Sequence, residues 1–447
     1  MNQLRLPFVR RIAGVFATRI AQFVLGFGSS FVIAKFLGPE GRGAYVAVLL
    51  VPGTVFALGQ LGWPSAINYF AGSGAPIKDL VRWSVIVTVV YSIAIFATAI
   101  VLLPVLEGSI LKAAPPELLR LVLLTLPVSA LAACGGSILY GRQAIRPYSI
   151  ILVGQSVGSL VGIVVLVGVL HLGVPGAIAT SIIVGIIGAI AVLREVRRVA
   201  RADPGNGTVS LRDVAGYGLK LYPASVTSFF NYRADVYLLQ SLLAAPGRAV
   251  GLYSYAVSLA ELTFYIPDSV STIFFPHVAG STEEASNRQV GQVARFTILL
   301  TLFAAIGLVP AGWLLFQIVL PTFSDAFPAM LVLLPGVVSL SLSKILSSYV
   351  SARRRPGPPS VAATAGLAAN IAANLVLIPM LGIVGASAAS VISYTCEAVI
   401  LLAVVSRMTG QSPRSLIVPG RTEFDRLFSW LGLIAGVVGA RLRRGRG

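Results

Sequence analysis

"KFLGPEGRGAYVAVLLVPG", residues 35–53, sets a charged, glycine-rich break between two long apolar runs. Glycine and proline stop the first run as a helix, and an apolar helix resumes at Gly43. A related phrase returns at residues 242–262, "LLAAPGRAVGLYSYAVSLAEL", with the same Pro, Gly, basic residue and Gly-x-Tyr entry. Tyr45 matches Tyr253 at a separation of 208, and Pro127 in "LLTLPVSAL" matches Pro335 in "LVLLPGVVSL" at the same separation. "HLGVPGAIATSII" from His171 matches "MLGIVGASAASVI" from Met380 at 209, placing Gly173 over Gly382 and Gly176 over Gly385. Three registers agreeing within one residue predict a duplicated unit.

The solvent of that unit follows from composition. The 447 residues are 56% hydrophobic and 11% charged, with mean hydropathy +0.88. Water-soluble domains carry about 25% charged residues, so this is an integral membrane protein. The net charge of +18 is not a nucleic-acid footprint, because the basic residues sit in the breaks between apolar runs. Cys134 and Cys396 lie within apolar segments, so no disulfide framework is available. The first apolar run lacks a small-residue cleavage site and reads as a retained span.

A helix needs about 20 apolar residues to cross a bilayer. Twelve such spans are predicted, at 12–36, 43–70, 81–103, 117–140, 148–170, 174–193, 214–243, 249–276, 290–319, 327–350, 360–379 and 384–406. The expected architecture is all-α, with two six-helix lobes, 1–193 and 214–406, joined by a basic cytoplasmic linker, 194–213. Six is even, so both copies run the same way and form a parallel repeat about the membrane normal. Counting the breaks together with the span ends beside them, 25 Lys and Arg fall on one side and five on the other (Lys35, Arg42, Lys112, Arg120 and Arg248), which is expected to place both termini in the cytoplasm. The basic tail, 407–447, carries a short apolar extension at 427–440, which is brief for a span and is expected at the interface.

No catalytic constellation emerges. His171 and His277 are far apart and in no metal-binding spacing, and "GPEGRG" lacks the Lys-Ser/Thr of a phosphate-binding loop. No loop is long enough for a soluble catalytic domain, so the chain is not expected to be an enzyme, and neither a metal site nor a cofactor is expected.

Ionisable residues inside the spans are the informative ones, since they usually face a bundle interior or a water-filled cavity. Arg19 shares a helical stripe with Gln22, Gly26 and Ser29 in the first span. In the seventh, Lys220, Thr227, Asn231 and Asp235 share a stripe and Arg233 projects nearly opposite. Glu261 and Asp268 are seven apart in the eighth, Lys344 and Glu397 lie in the tenth and twelfth, and Asn370 and Asn374 are one turn apart in the eleventh. For each, a packing role stands beside a functional one: Lys220, Lys344 and Glu397 could snorkel, Arg233 and Asp235 could pair only with each other, and the asparagines could bond between helices. Depth favours function for Arg19, Arg233 and Asp235. The expected substrate-binding set is Arg19, Arg233, Asn231, Asn370 and Asn374, with Asp235, Glu261 and Asp268 as coupling groups.

"AKFLGPEGRGAYVAV", "GLYSYAVSLAEL" and "NLVLIPMLGIVGASAASVISY" resemble the polysaccharide-transporter branch of the multidrug/oligosaccharidyl-lipid/polysaccharide exporter superfamily, the group of Wzx-type flippases. The likeness covers about residues 10 to 406. It implies two lobes around a central cavity in the bacterial cytoplasmic (inner) membrane. It also implies alternating-access translocation of an undecaprenyl-diphosphate-linked oligosaccharide for surface polysaccharide biosynthesis. The implied partners are the lipid-linked oligosaccharide, membrane lipid, a proton or sodium coupling ion and other polysaccharide-assembly proteins. A cation-coupled multidrug exporter of the same superfamily and a non-transporting scaffold remain open alternatives.

Overall fold

The computed structural model describes residues 5–109, 111–203, 205–420 and 423–424, with side chains outside 5–17, 99–109, 221 and 224. Among the described residues there is no strand. In chain order the helices are α1 (Arg5–Gly59), α2 (Trp63–Gly72), α3 (Ile77–Ser109), α4 (Pro116–Leu123), α5 (Leu126–Gly141), α6 (Ile145–Ile163), α7 (Gly173–Ala202) and α8 (Leu211–Leu242). They continue as α9 (Pro246–Ala260), α10 (Tyr265–Ala279), α11 (Glu283–Trp313), α12 (Ala326–Ala352), α13 (Gly357–Leu381), α14 (Ile383–Thr409) and α15 (Pro413–Ile417).

Nine helical stretches among the described residues are long and apolar enough to cross a membrane. The difference from the twelve predicted spans lies in three places. The spans at 12–36 and 43–70 both overlap one counted stretch, Thr18–Gly59, in which two helical runs meet at a kink where the Gly38 backbone (φ 65, ψ −175) is not helical. Only glycine takes that conformation at little cost. The span at 117–140 is the pair α4 and α5, bent by 44°, which makes a tenth if the pair is one span. α8 is too polar to be counted, since Arg212, Asp213, Lys220, Arg233 and Asp235 all lie on it. The apolar segment at 427–440 lies outside the described residues.

The chain packs as two compact units, Met1–Ser254 and Tyr255–Gly447. In the first, Trp63, Ile67, Leu80, Ile138, Val192 and Val214 share one core. A second core joins Ala47, Val48 and Val51 of α1 to Leu119, Leu126 and Ile178. In the other unit, Phe274, Val290, Ile345, Tyr349, Leu401 and Leu416 are buried together. α8 belongs with the first unit: the Tyr222 hydroxyl donates to Leu58 O at 2.5 Å, and the hydroxyls of Tyr237 and Thr54 bond to each other. The predicted linker divides in two. Residues 194–202 finish α7, and the strap that follows is pinned to the α2–α3 turn by Asn206 N donating to Gly74 O (3.0 Å) and Trp83 Nε1 to Val209 O (2.8 Å).

The duplicated turn has a structural counterpart within this first unit. A Cβ on Gly43 would overlap Gly247 O, and a Cβ on Gly251 would overlap Pro39 O. Gly43 and Gly251 are 208 apart, and so are Pro39 and Gly247. The two turns therefore cross backbone to backbone through a reciprocal pair of contacts, which only residues without a side chain allow.

Candidate functional site

α8 is the polar element, and its start is well specified. Ser210 and Asp213 form a capping box in which Ser210 Oγ accepts from Asp213 N at 3.2 Å and Asp213 Oδ2 accepts from Ser210 N at 3.3 Å. The Ser210 hydroxyl, reinforced by that backbone bond, holds the exposed Asp213 carboxyl below the usual carboxylate range.

Further along α8, Asp235 is buried and its Oδ2 accepts from the Tyr253 hydroxyl at 2.6 Å. Tyr253, in α9, is 2% exposed, so this charge-assisted bond is shielded from water. Such bonds contribute about 1.5–3 kcal/mol. Asn231, one turn earlier, is buried on the same side. Arg233 is exposed on the opposite side of α8, and Arg19 is exposed on α1. Among the described residues neither arginine is in an ion pair. Asp235 is held by a tyrosine rather than by its near neighbour Arg233.

The turn crossing adds a residue that sequence reasoning treated as a loop charge. Arg42 is 5% exposed. Its Nε donates to Ser254 Oγ at 3.2 Å, and its Nη1 donates to Ser30 Oγ at 2.9 Å and to Ser30 O at 3.3 Å. No local signal marks it, since one of its acceptors lies 212 residues away. Tyr253 was visible as a repeat anchor, but its carboxylate partner was not.

In the second unit, the 3₁₀ turn Glu261–Phe264 separates α9 from α10. Glu261 therefore stands on this turn and Asp268 on α10, rather than on one continuous α-helix. Asp268 Oδ1 pairs with Lys344 Nζ at 2.7 Å, and the ammonium sits 4.6 Å from the Phe264 ring centre. Asn370 and Asn374 are wholly buried, with Asn374 Nδ2 donating to Asn370 Oδ1 at 2.9 Å. Glu397 is half-buried on α14. The structure thus brings together Asp235 with Tyr253, Asp268 with Lys344, and Asn370 with Asn374. No three His, Cys, Asp or Glu side chains cluster as a metal site among the described residues.

No protein-family profile and no curated protein matches the sequence. Solved structures do match its fold. A lipid II flippase, MurJ, in an inward closed conformation superposes with TM-score 0.71 at 14% identity, covering 97% of this chain and 98% of that one. An inward-facing multidrug resistance MATE family transporter of the MOP superfamily gives TM-score 0.68 at 16% identity, covering 87% and 96%. An outward-facing one gives 0.61 at 16%, covering 90% and 97%. This chain has the fold shared by these MOP-superfamily transporters.

Proposed function

We propose that the protein is a flippase that moves a lipid-linked oligosaccharide, carried on undecaprenyl diphosphate, across the cytoplasmic membrane for surface polysaccharide assembly. The observation that carries this reading is the pair of exposed arginines, Arg19 on the apolar α1 and Arg233 on the more polar α8, with no acidic partner among the described residues. A guanidinium held in a membrane without a counter-ion calls for an anionic ligand or a wet cavity. A lipid diphosphate supplies that charge, and a guanidinium can hold its oxygens bidentately. Coverage of nearly the whole length of a lipid II flippase agrees with this substrate class. Multidrug export would use acidic groups for cationic cargo, and here Asp235 is buried against Tyr253 while Asp268 is taken by Lys344.

In this reading the twelve spans form two six-helix lobes related by the parallel repeat, 1–193 and 214–406. Arg19 and Arg233 bind the diphosphate, assisted by Asn231, Asn370 and Asn374. Asp235 exchanges the coupling proton or sodium ion, with Glu261 and Asp268 as further coupling groups. Deleting the gene in its host should accumulate lipid-linked repeat units on the cytoplasmic leaflet and abolish the cognate glycan. Arg19→Lys and Arg233→Lys should each reduce export at normal protein abundance, and Asp235→Asn should change its dependence on the ion gradient. Normal glycan display with lowered resistance to cationic drugs would replace this reading with efflux. Loss of display with unimpaired lipid translocation in reconstituted vesicles would replace it with a scaffold.

A further inference from the structure

α7 carries an outward stripe that changes character along its length. Ile183, Ile187 and Ile190 are 51%, 61% and 46% exposed, and lie one above another at helical spacing. The same stripe continues through Arg194, Arg197, Arg198 and Arg201, all exposed. These four arginines line an open groove of about 490 Å³ at the end of the helix. The opposite face of α7, with Ala189, Val192 and Val196, is buried in the first unit. Among the described residues the only acidic partner on the stripe is Glu195, 3.8 Å from Arg198. Arg194, Arg197 and Arg201 are in no ion pair there, and the neighbouring Asp203 is taken by Arg142 at 3.0 Å.

A helix C-terminus attracts one or two cations through its dipole, and topology requires positive charge near the boundary. Neither requires four guanidinium groups on one face in line with exposed isoleucines. We infer that this stripe is a binding site for an anionic phospholipid of the surrounding leaflet, with acyl chains on the isoleucines and the phosphodiester headgroup in the arginine groove. The continuity from apolar to cationic along one face selects a lipid over a soluble phosphate, because only a lipid fills both parts. Juxtamembrane basic clusters attract anionic lipid by the same electrostatics. The inference is independent of the transported substrate.

The test uses the purified full chain equilibrated with equimolar phosphatidylcholine and phosphatidylglycerol vesicles, counting each lipid retained on the protein by native mass spectrometry. Wild type should retain phosphatidylglycerol preferentially. Arg194→Gln, Arg197→Gln and Arg201→Gln combined should lower that preference by roughly fivefold for each arginine removed, at low salt. The same three positions changed to Lys should keep most of it, and Ile187→Ser with Ile190→Ser should reduce retention of both lipids. Raising the salt on wild type should release phosphatidylglycerol, a readout that needs no variant. The inference is overturned if the glutamine triple keeps the wild-type preference, or if Arg407→Gln with Arg414→Gln lowers it equally. It is also overturned if glycerol 3-phosphate displaces the lipid stoichiometrically, which would identify a soluble-phosphate site.

Discussion

The turn around Gly43 and the turn around Gly251 share a backbone solution and differ in what they bury. Each presents a glycine to the other's carbonyl, and each ends in a tyrosine two residues later. The Tyr45 hydroxyl meets Ser181 Oγ at 3.5 Å, whereas the Tyr253 hydroxyl donates to the Asp235 carboxylate at 2.6 Å. At the same separation of 208, the position matching Asp235 is Phe27. Conversely, the first turn buries Arg42 where the second has Val250. Steric closeness restricts the glycines in both turns alike, while charge is placed in each turn separately, so the charged positions are where the two turns differ.

The largest effect tests the shared part. Gly43→Val and Gly251→Val should each destabilise the protein by about 1–3 kcal/mol or more, since the new side chain meets backbone that cannot yield. Gly247→Ala should produce no such loss, because its Cβ would point into open space. Thermal unfolding in detergent would show this, and a harmless Gly251→Val beside a damaging Gly43→Val would break the reciprocity.

The differing part gives the next effect. Tyr253→Phe removes the charge-assisted bond to the buried Asp235 and should cost about 1.5–3 kcal/mol, while Tyr45→Phe, losing a long neutral bond, should cost under about 1 kcal/mol. Equal losses would mean that the carboxylate adds nothing. Arg42→Lys should fall between them, at about 1–2 kcal/mol, because an ammonium cannot reproduce the fork that reaches Ser30 and Ser254 together. A smaller cost of Ser254→Ala in that background than in wild type would place the loss in this network.

The smallest effect is at the start of α8, the helix that carries the second turn's carboxylate. The folded state lowers the Asp213 pKa, so its contribution is complete above the unfolded-state value and is lost as pH falls through the lower folded value. Asp213→Asn should lower the neutral-pH unfolding temperature slightly and flatten the acid-side loss, because the amide lacks the carboxylate's contribution at every pH. A variant with an unaltered acid limb in its stability profile would assign the pH dependence to other carboxylates.

Composition and apolar periodicity alone identified an all-helical membrane protein, because a bilayer leaves no alternative for so many long apolar runs. The repeat register of 208 was readable too, since a backbone crossing demands glycine at particular positions and so leaves letters in the chain. The predicted spans and the nine long apolar stretches differ in number at Gly38, where two helices meet at a kink inside one stretch, and in α8, where polar residues lower the hydropathy of a helix that packs on its own unit. Arg19, Arg233 and Asp235 stood out in the sequence because they are ionisable residues within predicted spans. Only the tertiary structure decided which charges are satisfied. Tyr253 finds Asp235 across 18 residues, Lys344 finds Asp268 across 76 and Arg42 finds Ser254 across 212. A hydrogen bond depends on atoms a few ångströms apart in space, whereas sequence records such proximity only where sterics forces a particular residue, and a tyrosine or serine is never forced in that way.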